Sequence, residues 1–463
     1  MTALAGRLPN VDRAAAIGVG VVCLGIGLLA GVNPGYALLA AGGVSFAVLV
    51  FWSLTAGFVL FTALSFLDVL NGNSSFSGTK VIGLVLFVSW LARLSVRRGS
   101  DLARFISENT TLVAGLVAML GWCFLSFAWA QSPSAALGGT GRYALNMLLL
   151  PIAFAAVSER RHVVWVIAAF VLGAVVSSAY GLVHPVSQGN TNYGRLTGLN
   201  GDANAEATVL AAAIPMLISL FGVIRHSARL QLAALGALLL LFIGLVQTLS
   251  REGLLALAAV LVGAVVFGGR WRRHAAILLA IGATATVGYY TVVAPLTARQ
   301  RVTAADTSGR TSLWTVAWRV TEAHPVLGVG NDNFQLVERK YINRPGAITA
   351  ARYIVVQPKA AHNTFLEALA DLGIPGLVTL LWVLAAAVGS AIRAAWTFER
   401  LKDVEMELMT RGVLLALIAV LTTAFFVSSQ YAKYLWLLIA LCPVMLAQAR
   451  RAASRARSEG RSA

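Results

Sequence analysis

The chain has 463 residues, 58% of them hydrophobic and only 12% charged, with a mean hydropathy of +0.78. Soluble domains carry about 45–50% apolar and about 25% charged residues, so most of this chain expects lipid as its solvent. The formal net charge of +17 is therefore not that of a nucleic-acid-binding protein, because too little soluble surface remains to form a basic groove.

A spanning helix needs about 20 mostly apolar residues, roughly 17 at the short end. In chain order such runs fall at 14–32, 36–52, 54–70, 79–96, 111–130, 142–157, 162–183, 203–223, 230–249, 252–268, 275–294, 363–392, 411–428 and 431–449. The two halves of 36–70 are short and barely separated, so the expected fold is one all-α polytopic membrane domain over 1–463 with about 12–14 transmembrane helices. The first run is too long for a signal-peptide core and is followed at once by another, so no cleavage is expected. Cys23, Cys123 and Cys442 each lie inside an apolar run, which implies neither a disulfide framework nor a cysteine metal site.

Orientation follows from the basic residues, which short cytoplasmic loops retain. With the N-terminus inside, 22 of the 36 Lys and Arg fall in inside loops, among them Arg93, Arg97, Arg98, Arg104, Arg270, Arg272, Arg273 and a basic tail at 450–463. Both termini are then cytoplasmic. Nine of the others crowd into one outside segment, 295–361, which carries a net +5. Loops beyond about 12–15 residues are usually functional or disordered. This one reads as ordered: Gly309 to Val320 is expected to be a helix, capped by Ser308 or Thr311, with Leu313, Trp314, Ala317, Trp318 and Val320 on one side facing the membrane interface. An anionic ligand would explain the excess of positive charge.

Charges at the outer ends of spans are the informative ones, since a charge in hydrocarbon costs about 2.5–3.5 kcal/mol on insertion scales. Three stand out: Arg195, just before the 203–223 run; Arg251, where two runs meet with almost no loop; and His362, opening the 363–392 run. An isolated arginine at a helix end ordinarily snorkels to headgroups, and a lone histidine at a helix start is ordinarily a cap. Here all three fall on one side, which favours function. Asp202 and Asn204 read as caps of the following span, and His184 and His324, each before a proline, as turn residues. The sequence has no metal-ligand spacing, phosphate-binding glycine loop or nucleophile elbow, so no metal or cofactor is expected.

Two guanidiniums and an imidazole suit a reaction in which a diphosphate departs. Arginine binds phosphate oxygens bidentately and stabilises leaving-group charge, and a neutral histidine accepts a proton from an attacking hydroxyl. Glycosyl transfer from a lipid-linked sugar diphosphate fits this set. Arg195-Leu196-Thr197-Gly198 with Asp202-Ala203-Asn204, and then Leu249-Ser250-Arg251-Glu252-Gly253, resemble the O-antigen ligase and O-antigen polymerase superfamily. So do Gly309-Arg310 with Trp314, His324-Pro325-Val326-Leu327-Gly328-Val329-Gly330, and Ala361-His362-Asn363-Thr364 followed by Leu372-Gly373-Ile374-Pro375-Gly376. The resemblance covers about 190–380 of the chain.

That resemblance implies a metal-independent, inverting membrane glycosyltransferase of the GT-C type in the bacterial cytoplasmic membrane, with its site on the periplasmic or exterior face. Its donor would be an undecaprenyl-diphosphate-linked glycan and its acceptor a glycan or glycolipid. Arg195 and Arg251, with Arg310, would bind the diphosphate, and His362 would assist the acceptor hydroxyl; Asp202, Asn204, Glu252 and Asn363 would support them. Two positions depart from the family pattern: Ala203 replaces the usual proline, and Glu252 the usual glycine. Glu252 is then either a partner of Arg251 or itself the base. Ligase and polymerase chemistry are both open, and a transporter or flippase for a lipid-linked glycan is the reading from another class.

Overall fold

The computed structural model describes residues 9–65, 78–96, 99–186, 192, 194–293, 296, 309–342 and 359–460. In chain order the helices are α1 (Pro9–Val32), α2 (Pro34–Trp52), α3 (Leu54–Leu64), α4 (Gly78–Val96), α5 (Ser100–Glu108), α6 (Thr110–Leu125), α7 (Pro133–Met147), α8 (Leu149–Ala156), α9 (Arg160–Val183), α10 (Ala203–Ile224), α11 (Ala228–Gln247), α12 (Arg251–Phe267), α13 (Arg272–Gly288), α14 (Arg310–Ala323), α15 (Phe334–Val337), α16 (Arg339–Ile342), α17 (Thr364–Arg400), α18 (Val404–Thr423) and α19 (Lys433–Ser458). The chain is an all-α polytopic membrane protein. Among the described residues seven helices are long and apolar enough to cross a bilayer on length and composition: α2, α6 with its 3-10 extension to Ala128, α9, α10, α11, α17 and α19.

Among the described residues each of the fourteen apolar runs contains helix, with boundaries moved by local chemistry; residues 66–70 of the 54–70 run lie outside them. The 142–157 run is divided between α7 and α8, because Pro151 lacks an N–H and its ring crowds the carbonyl one turn back. α7 begins well before that run: Ser132 accepts from Ala135 N at 3.4 Å and Pro133 occupies the first helical position. α19 continues as helix to Ser458 into the basic tail, where Arg450 Nη1 donates to Glu108 O at 2.7 Å and Arg451 Nη1 to Ser158 O at 3.0 Å.

The centre of the bundle is α10 packed on α18, with α12, α17 and α19 around them. Small residues allow the close approach: a Cβ on Gly412 of α18 would meet Ser219 of α10 at 2.6 Å, and one on Gly253 of α12 would meet Ala207 at 2.8 Å. Outward faces carry large apolar side chains such as Leu28, Trp52, Leu232 and Val262, as lipid requires.

The two ends of the bundle differ in chemistry. One collects ion pairs from loops that the charge pattern assigns to the cytoplasm: Arg160 with Asp403, Arg225 with Glu405, and Glu407 with both Arg270 and Arg411. The other holds a small core of its own, in which Leu313, Val316, Ala317 and Val320 of α14 meet Val329, Phe334, Val337, Tyr341 and Ala361. This corrects two expectations for α14. Its buried stripe is Leu313-Val316-Ala317-Val320, while Trp318 points outward and donates to Glu322 at 2.8 Å. Its N-cap is Gly309, with φ +78 and no side chain to cap with, and Thr311 falls inside the helix; Ser308 lies outside the described residues, as do much of 295–361 and 461–463.

Candidate functional site

The loop preceding α10 is bound down at both ends. Asp202 caps the helix, its Oδ1 accepting from Asn204 N and Ala205 N at 2.9 Å each. Upstream, Leu196 N donates to Gln247 O at 2.9 Å, which stitches the loop to the end of α11. Arg195 follows: its Nε donates to Thr248 O at 2.8 Å and its Nη2 to Asn204 Oδ1 at 2.6 Å. These acceptors are neutral, so they orient the guanidinium without cancelling its charge.

Between these anchors the loop rests on Glu206, which is fully buried in α10. The carboxylate accepts from Ser177 Oγ at 2.7 Å and from Asn200 Nδ2. Gly198, at φ +53, lies so close that any side chain there would overlap that carboxyl group.

The turn from α11 into α12 supplies Arg251 and Glu252. Leu249 adopts φ +50, uncommon for a bulky residue. Ser250 caps α12, accepting from Gly253 N at 3.4 Å, and Arg251 is the first helical residue, partly buried. Glu252 is buried; Ser250 Oγ donates to its Oε2 at 2.8 Å and Arg310, opening α14, pairs with its Oε1. Glu252 therefore joins the α12 turn to the outer segment, a pairing across 58 residues that no local pattern announces.

His362 precedes α17 with φ +50, and Asn363 caps that helix, its Oδ1 accepting from Phe365 N and Leu366 N at 3.0 Å each. The turn is held from beneath by Glu367, buried in the first turn of α17. That carboxylate accepts from Ala361 N at 2.9 Å, from Gln430 Nε2 at 2.8 Å and from Ser428 Oγ. On the other side Lys359 N donates to Glu338 Oε1 at 2.9 Å, and burial pushes the Glu338 carboxyl up to about 7. Burial lowers the pKa of His362, and Arg310 beside it lowers it further, against the opposing pull of Asp202 and Glu252. The imidazole is then neutral at pH 7 and able to take a proton.

Asp202, Asn204 and His362 line one cavity of about 410 Å³, within the size range of small-molecule sites. Its remaining walls come from Asn200 and Ala205, from Ala360, from Ser65 after α3, from Val427, Ser428, Tyr431 and Ala432 in the α18–α19 connection, and from Lys433 and Tyr434 at the start of α19. Arg195 reaches this cavity through Asn204, and Arg310 through its field on His362.

Three buried ionisable residues are missed by a reading confined to span ends: Glu206, Glu367 and Asp371. Each lies in the outer part of an apolar run, so the cost of charge in hydrocarbon would have marked them too. Asp371 accepts from Asp332 N, Asn333 N and Phe334 N at 3.0, 3.1 and 2.7 Å, which seats the 328–334 turn on α17. His324 donates or accepts at Tyr341 Oη, 2.8 Å away, which makes it a packing residue of the outer core.

Residues 235–381 match a family model described as O-antigen ligase. That stretch includes Arg251, Glu252, Arg310 and His362, whereas Arg195, Asp202, Asn204 and Lys433 lie outside it. No curated protein matches the chain.

Proposed function

We propose that the chain, whose residues 235–381 match the O-antigen ligase family model, transfers a glycan from undecaprenyl diphosphate to an acceptor glycan or glycolipid hydroxyl. The reading is supported most by one observation: the loop of Arg195 is tied to the turn that leads into Arg251, Glu252 of that turn pairs with Arg310 at the start of α14, and Arg310 acts on His362, which with Asp202 and Asn204 lines the adjoining cavity.

The acceptor hydroxyl attacks the anomeric carbon and the bond from that carbon to the diphosphate oxygen breaks, the electron pair leaving on the phosphate. His362 takes the hydroxyl proton. Arg195, Arg251 and Arg310 meet the charge that grows on the leaving diphosphate, so no step runs through a metal. A single displacement inverts the anomeric centre. His362 is preferred to Glu252 as base because both Glu252 oxygens already receive donors, from Arg310 and Ser250. Asp202 and Asn363 support the reaction as helix caps and Asn204 as the holder of Arg195. The chain is of the GT-C type and sits in the bacterial cytoplasmic membrane, with both termini inside and this end facing out.

The test is transfer by purified, detergent-solubilised protein from a radiolabelled undecaprenyl-diphosphate glycan with chelator present. Arg195→Ala and Arg251→Ala are expected to lose about 100-fold or more in rate, as when a preorganised charge partner is removed, and His362→Ala to lose its pH dependence below neutrality. A folded Arg251→Ala protein with wild-type transfer overturns the proposal. A ladder of repeats on the lipid identifies a polymerase; one glycan on a different anchored molecule identifies a ligase.

A further inference from the structure

We propose that the bundle binds an anionic phospholipid at the end opposite the His362 cavity, with an acyl chain seated in an apolar groove between α10, α11 and α18 and the phosphate held at a basic mouth. This site needs only the membrane and stands apart from the transferase reading.

The groove encloses about 450 Å³, within the size range of small-molecule sites. Ile218 and Phe221 of α10, Leu235 and Leu238 of α11, and Leu408 and Leu415 of α18 give it apolar walls. Along α10 it runs from Arg225, the C-cap, back to Pro215. The ten residues between those two positions cover about 15 Å of helix, half of the roughly 30 Å hydrocarbon core. The groove is therefore one leaflet deep. Leu235 is 54% exposed, on a helix whose Leu232 and Leu239 also face outward, so the groove opens toward lipid.

The mouth carries the charge. Arg225, Arg411 and His274 belong to the lining, and none of the fifteen lining residues is acidic. The segments that meet there, 225–229, 268–274 and 399–411, hold eight Lys and Arg against four Asp and Glu. Each of those acids is engaged by arginine: Glu399 and Glu407 by Arg411, Asp403 by Arg160, and Glu405 by Arg160 and Arg225. The Arg225 side chain is 57% exposed and its nearest Glu405 oxygen is 3.9 Å away, beyond hydrogen-bond range, so a phosphate does not have to displace a close pair. Arg272 and Arg273, exposed beside His274, add to the positive side. An apolar slot one leaflet deep with a basic rim is complementary to a chain that ends in a phosphate. Basic pockets between membrane helices select anionic headgroups for the same reason.

The experiment is native mass spectrometry of the full-length protein in detergent, titrated with dioleoyl phosphatidylglycerol, with dioleoyl phosphatidylcholine and with glycerol phosphate. Phosphatidylglycerol is expected to bind most tightly, and glycerol phosphate, which has no chain, not to bind at the same concentrations. Arg225→Gln is expected to weaken phosphatidylglycerol binding about fivefold, the worth of one basic residue at an anionic headgroup, and to affect phosphatidylcholine less. Glu405→Gln removes a carboxylate beside the phosphate and is expected to tighten phosphatidylglycerol binding, whereas a purely structural Arg225–Glu405 pair would move both variants the same way. Equal affinity for the two lipids, or glycerol phosphate binding as tightly as phosphatidylglycerol, overturns the inference. Should Arg225→Gln not fold, phosphatidylglycerol binding that is unchanged or weaker in Glu405→Gln overturns it too.

Discussion

The role proposed for His362 depends on its surroundings. Burial and Arg310 lower its pKa from the ordinary 6.5, so transfer is expected to be constant above that value and to fall as pH drops through the lowered pKa. Removing Arg310 removes a positive neighbour, so Arg310→Gln should move the acidic limb of the pH–rate profile upward as well as slow the reaction. The check is kcat/KM from pH 4.5 to 8 in both proteins; a limb that does not move, or moves down, contradicts the assignment of His362 as base. At this scale the sequence announced Arg195, Arg251 and His362, because each is a charge or imidazole where an apolar run begins or ends. It did not announce that Glu252 belongs to Arg310, since that pairing is created by the fold of the outer segment.

Among elements, α17 is the one that couples the outer segment to the bundle. Its helix is interrupted at Gly373, with φ +66 and ψ −170, a region open essentially to glycine alone. The interruption exposes backbone groups that the 325–330 turn takes up: Val329 N donates to Ala370 O at 3.0 Å, Gly330 N to Asp371 O at 2.8 Å, and Ile374 N to Pro325 O at 2.9 Å. Trp122 of α6 closes the same junction by donating to Leu372 O at 2.7 Å. A Cβ on Gly373 would overlap the Val326 carbonyl. Gly373→Ala should therefore destabilise by at least about 1–3 kcal/mol from backbone strain alone. Gly389→Ala, also in α17 but with no heavy atom within 4 Å of the new methyl, should be neutral or stabilising by about 0.5–1 kcal/mol. Thermal unfolding of the two detergent-solubilised variants checks the pair, and equal midpoints would refute the clasp. The apolar runs made the spanning helices readable, but the clasp was not: Gly328, Gly330 and Gly373 signal turns, and nothing local says that they meet. α7 was readable further than expected, from Ser132-Pro133.

Over the whole molecule, the positive-inside count and the position of the three candidate site residues implied two ends with different chemistry, and the bundle keeps them apart. A 20-residue helix spans about 30 Å, well beyond the roughly 10 Å at which the effects of separate substitutions become additive. The end opposite the cavity is held by Glu407, 0% exposed, which accepts from Arg270 Nη2 at 2.8 Å and Arg411 Nε at 3.1 Å. Arg411 is itself buried and also donates to Glu399 at 2.8 Å. Breaking a buried pair by removing one partner costs about 3–5 kcal/mol, because the other charge stays behind. The residual Glu399 contact places Glu407→Ala near the lower figure. This variant should unfold at a markedly lower temperature yet, assayed while still folded, keep the donor KM and kcat of the wild type. Arg251→Ala should do the reverse, losing transfer with little change in unfolding temperature, and the double variant should show both losses without interaction. A donor KM that shifts in folded Glu407→Ala would mean instead that the two ends share one conformational equilibrium, with the ion pairs at one end setting the cavity at the other.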